Sequence, residues 1–143
     1  MKTRTAAGFI LARIVDDEPL YLLLRGATSG DWLPPKGHAD NETDTVEETA
    51  RRETAEEAGI NELEVVPGFE RSIEYEVNTA RRGNYHKKVT YLLATTGADQ
   101  VTCSDEHSDA GWFAIDEALA RIGFEQMREV LRAADAHLRK HSG

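Results

Sequence analysis

The stretch from Trp32 to Ile60, WLPPKGHADNETDTVEETARRETAEEAGI, constrains this chain more than any other. Its opening Pro34-Pro35-Lys36-Gly37 cannot lie inside a helix, because proline lacks the amide proton and clashes with the preceding turn. The pattern then predicts one amphipathic, acidic helix. It should begin near Asp44, where Asp44 and Glu47 have the form of a capping box, and stop at Gly59, a residue suited to a left-handed C-cap. Val46, Ala50 and Thr54 make its less polar side and are expected to pack on a sheet. Glu56 and Glu57 stand three and four residues after Glu53, so a helix projects all three carboxylates to one side. Like charges so placed repel unless something positive lies among them. A hard divalent cation with oxygen ligands meets that need: Mg²⁺ where phosphates are present, or Mn²⁺ in its place. Arg52, one turn before Glu56, is expected to pair with it. A glutamate run alone is more often a solvated face, so the inference rests on the whole phrase.

The 143 residues suit one domain with a real core. No apolar run approaches membrane-spanning length. The N-terminal MKTRTAAGFILARIV is broken by Arg13 and lacks a small-residue cleavage site, so it reads as a strand rather than a signal peptide. A lone cysteine, Cys103, excludes an internal disulfide and is compatible with a reducing cytoplasm. The formal net charge of −9 gives the chain no electrostatic gain from nucleic acid, so no stable nucleic-acid partner is expected. A polyphosphate substrate would have to be met by bound cations and a local basic patch.

Residues 5–15 and 20–25 read as adjacent strands joined by the turn Asp16-Asp17-Glu18-Pro19. After Gly59, residues 63–66 form a strand, Pro67-Gly68 a turn, and residues 69–77 another strand. Residues 79–86 read as a long polar loop before a strand over 87–95, and residues 111–115 as the last strand. Asp116 is expected to cap a short helix, and Phe124, Met127, Val130, Leu131 and Leu138 are spaced for a final helix. The result is a mixed sheet with helices before, between and after the strands, an α/β arrangement.

The segment from Arg81 to Lys88 is the most basic in the chain. As a phosphate-binding patch it would complement the acidic helix; on its own it would be a solvated tip. Tyr75 and Phe124 each offer a ring to a base, although Phe124 fits the core equally. Glu106 in the loop SDEHSD is a further carboxylate, and His38 follows Gly37 directly.

The phrase Gly37…Arg52-Glu53-x-x-Glu56-Glu57-x-Gly59-Ile60 resembles the Nudix box, the signature of hydrolases acting on a nucleoside diphosphate linked to another group. Thr54 stands at an apolar position of the pattern. The loop from Gly37 to Arg52 is one residue longer than the pattern, which leaves both Glu42 and Asp44 as candidates for the early acidic position. Trp32-Leu33-Pro34-Pro35-Lys36-Gly37-His38 resembles the box entry of asymmetrical diadenosine tetraphosphate hydrolases of animal and archaeal type. So do Gly68-Phe69-Glu70-Arg71 with Tyr75, Lys87-Lys88-Val89-Thr90-Tyr91, Ser104-Asp105-Glu106-His107 and Phe124-Glu125-Gln126-Met127. An aromatic residue common after the Glu-His pair is replaced around Ala110-Gly111.

The resemblance implies an α/β/α sandwich with a strand-loop-helix motif and a cation held by Glu53, Glu56, Glu57 and Glu106. It implies catalytic roles for Glu57, Glu56, Arg52 and Glu106, with Lys36, His38 and Lys87 on the substrate side and Tyr75 and Phe124 around adenine. The partner is then a small-molecule nucleotide, and the reaction is attack of water on a dinucleoside polyphosphate, giving ATP and AMP from the tetraphosphate. Either a helix glutamate or Glu106 would take the water's proton. Competing readings are a Nudix enzyme for diphosphoinositol polyphosphates, 5′-triphosphorylated RNA or another nucleoside diphosphate derivative, and a non-catalytic nucleotide sensor. A pure binding module has no need of three crowded carboxylates.

Overall fold

A computed structural model describes residues 2–41, 43–80 and 83–142. The elements run β1 (Lys2–Val15), β2 (Glu18–Gly26), β3 (Trp32–Leu33), β4 (Lys36–His38), α1 (Val46–Ala58), β5 (Glu64–Thr79), β6 (Gly83–Thr95), β7 (His107–Phe113), α2 (Ile115–Arg121) and α3 (Glu125–Ser142). The expected mixed sheet forms, with strand order β3-β2-β1-β6-β5, β4 added beside β1 and β7 beside β2. β1 runs parallel to β6 and antiparallel to β2 and β4.

The apolar runs of β1 and β2 are continuous rather than alternating because both faces of the sheet are covered. Phe9, Leu11, Leu22 and Leu24 pack with Ala50 and Ala58 of α1 on one side. Ile10, Ala12, Tyr21 and Leu23 pack with Ala118 of α2 and Met127, Leu131, Ala134 and Leu138 of α3 on the other. Each such leucine taken fully from water contributes about 1.5–3 kcal/mol. A part-buried polar tie fixes α3 to the sheet: the Tyr21 hydroxyl donates to Asp135 Oδ1 at 2.6 Å. No described helix precedes the first strand, which departs from the expected order.

Three further expectations are corrected by backbone pairing. Pro67-Gly68 is not a turn between two strands; it lies in a bulge within the single long strand β5, with Gly68 at φ 85°. Of the expected long polar loop, Thr79 and residues 83–86 are strand, because pairing continues out to Thr79 and Gly83. Of the basic segment, Arg81 and Arg82 lie outside the described residues. Finally, β7 begins at His107 rather than Gly111, because residues 109–113 pair with β2. Polar, low-propensity residues in these places gave little strand signal, and the partner strand decided the outcome.

Candidate active site

α1 is positioned at both ends by its own sequence. Its N-cap is Thr45, one residue later than expected: the Thr45 hydroxyl accepts from the Glu48 amide and the Glu48 carboxylate accepts from the Thr45 amide, each at 3.0 Å. Asp44 is thereby freed for other partners. It accepts from the Asn41 side-chain amide at 3.4 Å, from the Asn41 main-chain amide at 3.2 Å and from Arg52 at 3.3 Å, and these bonds hold its carboxyl below the usual range. At the far end Gly59 takes the expected left-handed conformation, φ 70°, and its amide closes on the Ala55 carbonyl. Thr49, Ala50, Thr54 and Ala58 face the sheet and are buried, while Val46 is half-buried.

The strand-loop-helix motif docks through a glycine. β4 pairs with β1 so that Gly37 lies opposite Ala7, on the face that α1 covers. A Cβ at Gly37 would lie 1.6 Å from Glu53 Oε1 and 2.2 Å from its Cδ. The glycine is needed for space rather than for an unusual φ, and it lets the Glu53 carboxylate lie on the β4 backbone. Gly8, on the paired strand β1, likewise leaves space, since a Cβ there would meet the Pro35 carbonyl at 2.2 Å.

Glu53 and Glu57 occupy different surroundings. Glu57 is half-buried; its Oε1 accepts from the Lys36 amide at 3.1 Å. Burial pushes its carboxyl up to about 7, against the pull of Lys36 and with the push of Glu53 and Glu106. Burial likewise raises Glu53 to about 7, reinforced by Glu56. Glu56 is exposed on the next turn.

Arg52 does not pair with Glu56 as expected. It turns back along the β4–α1 connection, donating to the His38 carbonyl at 3.1 Å and lying 3.3 Å from Asp40 and Asp44 and 3.7 Å from Glu53. Arg52 is therefore the brace of the loop and the neighbour of Glu53. Of the two candidates for the early acidic position, Asp44 is engaged in that brace, and Glu42 lies outside the described residues.

The second half of the site comes from the loop before β7. The Thr102 amide donates to the Ala58 carbonyl at 3.0 Å and the Ser104 amide to the Glu57 carbonyl at 3.2 Å. These bonds hang residues 102–107 from the C-terminal end of α1. Glu106 is exposed at the loop tip, with its carbonyl held by the Ala27 amide at 2.9 Å. His107 sits beside Glu57, with Nε2 3.9 Å from Oε1 and Nδ1 3.2 Å from the Ser104 hydroxyl. Burial lowers its pKa. Lys36, Glu57, Glu106 and His107 together line a cleft of about 150 Å³ with Ser29 and Asp31. The sequence motif drew attention to Glu106; the placement of His107 against Glu57 had no signal beyond its adjacency.

On the opposite face of the sheet the basic and aromatic residues gather. Lys87 pairs with Tyr75 across β5–β6 and with Arg4 across β1–β6. Its ammonium lies 5.9 Å from the centre of the Tyr75 ring. Lys87 is buried, and burial together with the nearby Lys36 lowers its pKa to about 8. Two cations crowd here, a setting that an anion would relieve. Tyr75 and Phe124 meet edge to face at 6.2 Å, so the two rings touch each other rather than standing parallel. Arg4 was not separable from other basic residues by sequence; strand register sets it opposite Lys87, and the Lys36 side chain lies close enough to act on the same ammonium. The aromatic residue missing near Ala110-Gly111 is compensated sterically. A Cβ at Gly111 would stand 2.6 Å from Phe113 Cζ, so the bare glycine accommodates that ring.

A model of the NUDIX domain matches residues 2–134. The chain belongs to the Nudix family, whose members use divalent metal ions. Within it, the chain is 39% identical over 125 residues to the asymmetrical bis(5′-nucleosyl)-tetraphosphatase of Rattus norvegicus, covering 82% of this chain and 80% of that protein. It is 31% identical over 137 residues to the enzyme of the same name from Caenorhabditis elegans, covering 93% and 95%. The fold matches a crystal structure of a C. elegans Ap4A hydrolase binary complex with a TM-score of 0.86 and 30% identity, covering 96% of this chain and 98% of that one.

The donor chemistry fits a divalent cation. Glu53 and Glu57 are partly desolvated carboxylates held upward in pKa, with Glu56 and Glu106 adding negative charge. Partly desolvated hard oxygen donors crowded by like charge suit Mg²⁺ or Mn²⁺. As the side chains stand, they form two neighbouring pairs, Glu53 with Glu56 and Glu57 with Glu106. Among the described residues, no three acidic, histidine or cysteine side chains converge on one point.

Proposed function

We propose that this chain is a single Nudix domain, residues 1–143, that hydrolyses a phosphoanhydride bond of a dinucleoside polyphosphate, with diadenosine tetraphosphate giving ATP and AMP. The observation that carries this reading is the pairing of two faces at one end of the sheet. Desolvated glutamates lie on the α1 side, and a buried lysine with an aromatic pair lies on the other.

Glu53, Glu56, Glu57 and Glu106 would hold Mg²⁺, or Mn²⁺. When bound, such a cation neutralises phosphate charge and lowers the pKa of a coordinated water. The chain's own groups do the rest. Lys36 and Lys87 attract and orient the phosphates through charge. Tyr75 and Phe124 take the adenine; because the rings touch, one of them rotates aside to admit the base. His38 and Arg52 fix the β4–α1 connection and so the position of Glu53. Burial raises the Glu57 carboxyl in the cation-free protein, a penalty that a bound cation relieves, so Glu57 serves as a ligand. The exposed carboxylates of Glu56 and Glu106 are the candidates for the base.

No described helix is long and apolar enough to cross a membrane, and the lone Cys103 suits a cytoplasmic setting. The aromatic pair favours a nucleobase over an inositol ring. The test is incubation with a panel of dinucleoside polyphosphates, triphosphorylated RNA, inositol pyrophosphates and nucleotide sugars, with and without Mg²⁺. Preferred turnover of the dinucleoside tetraphosphate is expected. Turnover confined to another class would replace the substrate reading, and nucleotide binding without turnover would favour the sensor.

A further inference from the structure

The two oxygens of Glu57 are not equivalent. Oε1 faces protein: it accepts from the Lys36 amide at 3.1 Å and has His107 Nε2 at 3.9 Å, an electrostatic contact rather than a hydrogen bond. Among the described residues no hydrogen-bond donor reaches Oε2. The imidazole is held from behind, since Nδ1 lies 3.2 Å from the Ser104 hydroxyl. The tautomer with its proton on Nε2 serves both ends at once: the Ser104 hydroxyl donates to Nδ1, and Nε2–H points toward Glu57. The tether is short and closed. The Ser104 amide binds the Glu57 carbonyl, and the His107 amide binds the Ser104 carbonyl at 3.1 Å. The loop that carries the imidazole is thus hung on the residue that the imidazole faces.

We propose that His107, oriented by Ser104, is a positioning residue that together with the Lys36 amide occupies Glu57 Oε1 and leaves Oε2 as the oxygen offered to a divalent cation. The inference rests on the reading of Glu57 as a cation-holding residue. Groups behind a ligating side chain that fix its orientation characteristically change metal affinity by about 10–100-fold when removed.

The test measures Mn²⁺ binding to the substrate-free protein by electron paramagnetic resonance, with thermal unfolding as the fold control. Glu57→Gln sets the floor. His107→Asn keeps a polar group near Nδ1 but none near Nε2, and is expected to weaken Mn²⁺ binding about tenfold or more. His107→Gln returns an amide nitrogen near the Nε2 position and should recover most of that loss. Ser104→Ala, which removes a single hydroxyl and keeps the backbone bonds, should fall between wild type and His107→Asn. A purely structural histidine would show loss of thermal stability with Mn²⁺ affinity unchanged, and unchanged affinity in both His107→Asn and Ser104→Ala overturns the proposal. If the wild-type protein itself binds no Mn²⁺, the cation role of Glu57 is wrong. If it binds Mn²⁺ but cleaves no dinucleoside polyphosphate, only the substrate reading fails.

Discussion

Replacing Gly37 by alanine tests how the strand-loop-helix motif holds its carboxylate. The added Cβ would stand 1.6 Å from Glu53 Oε1, 2.2 Å from Cδ and 2.7 Å from Cγ. Ordinary carbon–oxygen contact is about 3.4 Å, so the carboxylate must move by about 1.5–2 Å. All three of the nearest atoms belong to one flexible side chain, which can swing away. The stability cost should therefore lie at the low end of overpacking, about 1 kcal/mol. The functional cost should be large, because a displacement of about 1 Å in a reacting centre can lower turnover about 100-fold. The assay is kcat for the dinucleoside tetraphosphate together with a denaturant melt, on Gly37→Ala, Glu53→Ala and the double variant. In the Glu53→Ala background the added methyl has space, so Gly37→Ala should cost little stability there and no further activity. Native turnover by Gly37→Ala alone, or additive losses in the double variant, would refute the argument that this glycine exists to seat Glu53.

Other consequences can be measured separately. Glu57→Gln should remove turnover by at least about 100-fold while leaving the melting temperature near wild type, since the neutral amide keeps the bond from the Lys36 amide but not the charge. Glu53 and Glu57 have folded pKa values of about 7, above the ordinary 4.5, so the folded protein binds more protons between those values. Without divalent cation, stability should fall as pH rises from about 5 to 7.5, and added Mg²⁺ should reverse the fall; thermal melts at the two pH values check the sign. Lys87 is depressed to about 8 from 10.5, which penalises its charged form below pH 8. Lys87→Met should raise stability at pH 7 by about 1–3 kcal/mol and lose that advantage as pH rises through 8 toward 10.5, while raising KM for the polyphosphate.

The box was legible because its chemistry is local. Helix register puts Glu53, Glu56 and Glu57 on one side, and Gly59 ends the helix, whatever the rest of the chain does. The cap slipped by one residue because Asp44 and Thr45 are both good caps, and Arg52 and Asn41 claim Asp44. The Arg52–Glu56 pairing failed for a related reason. An intrahelical pair on a surface gains only about 0.3–0.5 kcal/mol, and the carbonyl of His38 with Asp40 and Asp44 offers more. What the sequence concealed depends on distant pairing. Nothing local says that Arg4 lies beside Lys87 or that residues 83–86 are strand; the β1–β6 parallel ladder decides the first and the β5–β6 pairing the second. Nor does spacing reveal that Tyr75 and Phe124 touch edge to face in the free protein.

The central claim is asymmetric hydrolysis of a dinucleoside polyphosphate at the glutamate-bearing end of this sheet. It is tested most directly by following diadenosine tetraphosphate by ³¹P NMR with the wild-type protein and Glu57→Gln in Mg²⁺. ATP and AMP should appear in equal amounts with wild type and be absent with Glu57→Gln or with a chelator. Two molecules of ADP per substrate, or undiminished turnover by Glu57→Gln, would contradict it.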